Sequence, residues 1–178
     1  MYEDGEGTEQ NYVEAYKYYR LAAEQGNIDA QFNLGLLYSE GYGVEQNYEK
    51  AAEYYAAAAA QGDASAQCNL GILYSDGYGV ERNYEKAAKY YSAAAAQGNA
   101  NAQSNLGILY EDGYGVEQNY EKAAEYYLAA AAQGVDIAQS KLGFLYYNGY
   151  GCRAKIMKRR LSIIQLQLRK EMLLPSIT

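Results

Sequence analysis

The sequence predicts an all-α fold, an α/α solenoid of stacked two-helix repeats, on three observations. A block recurs in phase: LGLLYSEGYGVEQNYEKAAEYY starts at Leu34, LGILYSDGYGVERNYEKAAKYY at Leu70 and LGILYEDGYGVEQNYEKAAEYY at Leu106, a step of 36 residues. Each block holds two apolar stripes of helical period, and glycines close each stripe. Segments 63–98 and 99–134 differ at only seven of their 36 positions. Self-similarity at such a step means one supersecondary unit stacked on copies of itself, because neither helix of a unit buries enough apolar surface alone.

The elements follow in order. Residues 1–26 read as a partial repeat, since Tyr2 to Gly26 matches the second half of a unit. Residues 27–62 are the first full repeat. Ala30, Leu34, Leu37 and Tyr38 fall on one helical face. Asn27, and its counterparts Asp63 and Asn99, stand where an N-cap accepts a backbone N–H, and Gly41 where a left-handed residue ends the helix. A second helix runs from Tyr48 to about Gln61 with Asn47 as its cap and Glu49 in its positive first turn. Ala51, Tyr55, Ala58 and Ala59 form its stripe, and Gly62 stops it. Small residues on the inward faces allow close approach, and tyrosines fill what remains with rings whose hydroxyls need a partner. Residues 63–98 and 99–134 repeat the plan. Residues 135–151 supply a first helix, near Ile137 to Asn148, and its turn; 152–178 fall outside the pattern.

That last stretch raises a separate question. It carries seven Lys/Arg against one Glu, whereas the whole chain is −7, so residues 1–151 carry −13. It reads as a basic arm for membrane or nucleic acid, or as repeat sequence translated out of frame. A permitted choice of codons from Ile156 onward, read from the last base of the isoleucine codon, gives YEKAAEYYSAAAEKGNAAAQYN, which is the missing second helix and the start of another unit. The frameshift reading is preferred. The opening residues likewise begin mid-unit, as in a fragment of a longer array, and MYEDGEG is not a signal peptide.

The motif A-x-x-x-L-G-x-x-Y-x-x-G-x-G-V is carried by Ala66, Leu70, Gly71, Tyr74, Gly77, Gly79 and Val80. It continues as N-x-x-K-A-x-x-Y-Y-x-x-A-A-x-x-G through Asn83, Lys86, Ala87, Tyr90, Tyr91, Ala94, Ala95 and Gly98. In phase over residues 2–151, this closely resembles the Sel-1-like repeat, a relative of the tetratricopeptide repeat with a longer loop between its helices. The resemblance implies a right-handed superhelix that acts as a scaffold or adaptor for other proteins, with its first helices lining a concave face and no catalysis of its own.

Composition narrows the chemistry. There is no His, which removes the commonest general base and metal ligand. Cys68 and Cys152 have no metal-ligand spacing and make no disulfide framework. GYGVEQ is a turn rather than a dinucleotide loop, lacking a third Gly and a preceding strand. No cofactor, metal site or catalytic residue is expected, and Glu111 and Asp112 are read as solvent-facing carboxylates at a helix end. The acidic body disfavours nucleic acid, and no apolar run reaches the roughly 18 residues of a membrane span. Oligomeric state is left open.

Proteins or peptides are therefore the expected partners. Positions that vary between units are read as less constrained by stacking: Phe32 (Cys68 and Ser104 in the next units), Ser39 with Ser75 and Glu111, and Gln46 with Arg82 and Gln118. Cys68 itself is read as a passive thiol. Asn33, Asn69 and Asn105 form a ladder that either hydrogen-bonds an extended peptide backbone or satisfies backbone groups between helices. Tyr42, Tyr78 and Tyr114, in the loops, are the tyrosines expected to be exposed and available as adaptable contacts. A repeated surface suits a repetitive or extended partner. The alternative is a structural spacer within a longer repeat protein, or a fragment of a truncated gene without a function of its own.

Overall fold

The computed structural model describes residues 11–150. They form helices and turns, with no strand among them. The helices are α1 (Tyr12–Glu24), α2 (Ile28–Glu40), α3 (Tyr48–Ala60), α4 (Ala64–Asp76), α5 (Tyr84–Ala96), α6 (Ala100–Asp112), α7 (Tyr120–Ala131) and α8 (Asp136–Tyr147). The basic stretch from Cys152 and its frameshift reading lie outside the described residues, as does the start of the chain.

The caps appear where the sequence places them. The Asn27, Asp63 and Asn99 side chains accept the N–H groups of Ala30, Ala66 and Ala102, and Asn47, Asn83 and Asn119 do the same for Lys50, Lys86 and Lys122. Each such cap satisfies a donor the helix leaves free, worth about 1 kcal/mol. Val135 holds the corresponding place before α8 and has no side chain able to cap. Gly41, Gly77 and Gly113 end the first helices at φ of 76°, 79° and 76°, where a Cβ is disfavoured.

The core straddles the repeat boundaries. One cluster joins Ala51, Tyr55 and Ala58 of α3 to Ala66, Leu70 and Leu73 of α4. The next joins Ala87, Tyr91 and Ala94 of α5 to Ala102, Leu106 and Leu109 of α6. The third joins α7 to Ala138, Leu142 and Leu145 of α8. Each fully buried leucine contributes about 1.5–3 kcal/mol. A unit removed from its neighbours would lose these contacts, so stability resides in the junctions. Successive first helices also touch: α2 meets α4, α4 meets α6 and α6 meets α8, whereas the second helices are not drawn together to the same extent. The array therefore narrows on the side of the first helices, which line its inner face.

Two motif glycines make the close contacts possible. Gly71 in α4 faces the Tyr91 ring, where an added Cβ would lie 2.6 Å from a ring carbon; Gly35 and Gly107 meet Tyr55 and Tyr127 in the same way. Gly79, in the loop, packs on the backbone at Tyr48 and Glu49 of the preceding unit. Beside it, Tyr78 stacks on Tyr48 with ring centres 5.0 Å apart. The same stack joins Tyr42 to Tyr12, Tyr114 to Tyr84 and Tyr150 to Tyr120. Each loop is thus clamped to the start of the second helix one unit back.

A polar chain ties the opposite ends of the helices. Gln61, Gln97 and Gln133 donate to the side-chain oxygens of Gln31, Gln67 and Gln103 at 2.8, 2.9 and 2.9 Å. The Gln31, Gln67 and Gln103 amides donate in turn to the carbonyls of Ala23, Ala59 and Ala95 in the preceding unit. Sequence reasoning passed over these glutamines, although they recur at fixed phase.

Candidate functional site

Two cavities open between successive first helices, one repeat apart. The first, of about 320 Å³, is lined by Leu36, Ser39 and Glu40 of α2, Tyr48 and Tyr55 of α3, Asn69, Ile72 and Leu73 of α4, and Tyr78. The second, of about 270 Å³, is lined by Ser75 and Asp76, Tyr84 and Tyr91, Asn105, Ile108 and Leu109, and Tyr114. The eight residues of the second lining each have a counterpart in the first, with aspartate in place of glutamate on the rim; Leu36 is the one addition in the first. Six of the sequence-predicted residues therefore converge: Ser39, Asn69 and Tyr78 in one cavity, Ser75, Asn105 and Tyr114 in the other.

The polar groups inside are neutral and mutually engaged. Ser39 Oγ lies 3.2 Å from the Tyr55 hydroxyl and also donates to the Leu36 carbonyl. In the second cavity the Tyr91 hydroxyl donates to Ser75 Oγ at 3.4 Å, and Ser75 donates to Asp76 Oδ1 at 2.8 Å. Asn69 and Asn105 come within hydrogen-bonding reach of the Tyr55 and Tyr91 hydroxyls. Asn69 and Asn105 thus face a tyrosine hydroxyl across the junction. Burial pushes both tyrosine hydroxyls above their ordinary pKa, so they stay protonated. Tyr42, Tyr78 and Tyr114 are 44%, 50% and 49% exposed, each keeping one edge to solvent while stacked.

Other expectations are corrected. Glu111 does not face solvent; it is 7% exposed, although neighbouring Asp112 is exposed. The Tyr127 hydroxyl donates to Glu111 Oε2 at 2.5 Å, and Lys141 Nζ of α8 sits 3.1 Å from the same oxygen. The carboxylate is inside the junction because these two groups replace its water. Phe32 and its counterparts do not vary because they are free of the stack: Phe32 is half-buried against the Tyr55 ring, and Cys68 and Ser104 are buried. The slot tolerates different volumes at different junctions. Burial raises the Cys68 thiol to about 11, as suits a passive group. Asn33 is half-buried on α2 and lines neither cavity.

Sequence reasoning missed Lys141, and the signal was present. In the register of the repeat, Lys141 holds the slot of Asn69 and Asn105, and Glu111 that of Ser39 and Ser75. Both exceptions fall in one junction, which marks them as a pair. It also missed the carboxylates Glu40 and Asp76 on the cavity rims. Among the described residues no cluster of His, Cys, Asp and Glu could hold a metal ion, and no helix is long and apolar enough to cross a membrane. An apolar wall, aromatic edges, neutral hydroxyls and amides, and a carboxylate rim can bind; none is an activated nucleophile.

The Sel1 repeat profile matches residues 1–27, 28–63, 64–99, 100–135 and 136–157. Among solved structures, a protective antigen present in uropathogenic Escherichia coli strains, displaying an SLR fold, is 39% identical with a TM-score of 0.81, over 85% of this chain and 32% of its own. A Sel1 repeat protein from Oxalobacter formigenes is 38% identical with a TM-score of 0.78, over 85% of this chain and 63% of that one. Helicobacter pylori cysteine rich protein B is 25% identical with a TM-score of 0.58, over 75% of this chain and 96% of its own. The chain thus spans about a third of the length of the first and under two thirds of the second. No curated protein matches it.

Proposed function

We propose that this chain, which belongs to the Sel1 repeat family, is a non-catalytic scaffold that holds an extended or repetitive protein partner along the inner face of its stacked helices. The observation that carries the reading is the repetition of one cavity, with matched linings, at consecutive junctions. A single cavity of about 300 Å³ suits a side chain or a small ligand. Two in register suit a chain whose side chains enter them in turn, each weak contact raising the local concentration of the next. The side-chain hydroxyls and amides in the cavities supply orientation, and the apolar walls supply area.

The test is a selection of extended peptides from a library against the full chain, followed by affinities for Asn69→Ala, Asn105→Ala and the double variant. A scaffold that binds through both cavities loses about tenfold per site, with the helical signal unchanged. A spacer yields no peptide whose affinity responds to either substitution, and that result would remove the reading.

A further inference from the structure

We propose that the two cavities are consecutive subsites for lysine or arginine side chains of an extended basic peptide, with the cationic residues three positions apart. This rests on the scaffold reading and names the chemistry of its partner. Three observations support it.

The first is the match between cavity and side chain. Leu36, Ile72 and Leu73 form an apolar wall suited to an alkyl stem, and Glu40 stands at the rim; Ile108, Leu109 and Asp76 do the same in the second cavity. Among the described residues neither rim carboxylate is in an ion pair. The surrounding body, at −13 over residues 1–151 while the whole chain is −7, draws cations toward it.

The second is the third junction, where the chain supplies its own cation. Lys141 occupies the slot held by Asn69 and Asn105, reaching Glu111 at 3.1 Å beside the Tyr127 hydroxyl. The junction architecture therefore accommodates an ammonium next to the buried tyrosine. The first two junctions carry an asparagine in that slot, and each has a cavity beside it. The molecule also places ammonium groups over tyrosine rings in each of the three full units: Lys50 over Tyr38 at 5.1 Å, and Lys86 over Tyr74 and Lys122 over Tyr110 at 4.9 Å each. Tyr78 and Tyr114 offer comparable exposed aromatic surface at the cavities.

The third is spacing. Packed helices lie about 8–10 Å apart, and α2, α4 and α6 contact one another in succession. A peptide in the extended polyproline II conformation has three residues per turn and rises about 3.1 Å per residue, so every third side chain returns to the same face about 9 Å further on and meets the next cavity.

The experiment measures binding of labelled peptides to the full-length protein by fluorescence anisotropy. The probes are a peptide with lysine at every third position, its isomer with the same lysines contiguous, and a version with glutamate for lysine. The spaced peptide is expected to bind about tenfold more tightly than the contiguous one, through simultaneous use of two subsites, and the glutamate version not at all. Glu40→Gln with Asp76→Asn should weaken the spaced peptide several-fold. Ser75→Glu with Asn105→Lys, which copies the third junction into the second, should leave only single-site affinity. The reverse exchange, Glu111→Ser with Lys141→Asn, should open a third subsite and strengthen a peptide with three spaced lysines but not one with two. Circular dichroism melts confirm that each variant folds. Equal binding of spaced and contiguous peptides would reduce the effect to general attraction by an acidic surface and overturn the proposal. Should neutral or acidic library peptides bind in an Asn69-dependent way while lysine peptides do not, the scaffold reading survives and the basic partner falls. If no peptide of any class responds to the cavity substitutions, both fall.

Discussion

At the residue scale, the motif glycines and tyrosines are two halves of one contact. Gly71 has no side chain because the Tyr91 ring occupies that space, and a Cβ would meet a ring carbon at 2.6 Å. Tyr91 is buried and cannot swing out without vacating the core. Gly71→Ala should therefore destabilise by about 1–3 kcal/mol through overpacking. Gly143 holds the same place in α8, yet among the described residues nothing lies within 4 Å of where its Cβ would be. Gly143→Ala should be neutral or stabilising by up to about 1 kcal/mol, from helix propensity alone. Denaturant melts of the two variants decide it: equal losses at both sites would mean that the ring contact is not what excludes a side chain. The opposite signs expected of one substitution in one motif position separate packing from propensity.

At the scale of the element, helix boundaries and their inward faces were legible in the sequence, because caps, glycine stops and apolar spacing are local and recur in phase. Asn27, Asn47 and Gly41 announced their roles in this way. The two cavities were only half legible. Ser39, Asn69 and Tyr78 stood out as repeated or variable positions, but Glu40, Ile72 and Tyr55 join them only through the meeting of α2, α3 and α4. The Glu111–Lys141 pair left a signal in the sequence, as two departures from the repeat, but that its members touch follows only from α8 lying against α6. This pair gives a test of how junctions differ. Lys141→Met alone leaves the Glu111 carboxylate with only the Tyr127 hydroxyl, and should cost about 1–3 kcal/mol. The double change Glu111→Ser with Lys141→Asn restores the chemistry of the first two junctions and should cost clearly less. If the single and double variants melt together, the pair contributes nothing specific and Lys141 is an ordinary surface lysine.

At the scale of the whole molecule, stability is a sum of junctions, which sets both where the array opens and the pH at which it fails. Only Ala15 is buried on α1, whereas α4 and α6 each bury six residues. Amide exchange should accordingly be slowest in the central helices, and α1 as the slowest element would contradict the stacking account. The pH limit follows from the tyrosines. Burial raises the hydroxyls of Tyr55, Tyr91 and Tyr127 above their ordinary value, the Glu111 carboxylate adding to the effect at Tyr127. In the unfolded chain a tyrosine ionises near pH 10. Below that pH both states hold the proton and stability is undiminished. Above it the unfolded chain releases protons that the folded chain retains, so stability falls with rising pH toward the raised folded values. At least one such tyrosine sits in each of the three core clusters, so all three weaken in the same window and none can hold the others. The expected outcome is a cooperative loss of helical signal beginning just above about pH 10, with the buried tyrosines ionising only as the helices melt. Tyr91→Phe removes one of these groups at the cost of a long hydrogen bond to Ser75, and should move the alkaline midpoint upward. A pH titration following phenolate absorbance and circular dichroism together checks this; complete ionisation of the tyrosines while the helical signal stays intact would show that their rings are not sealed in the junctions.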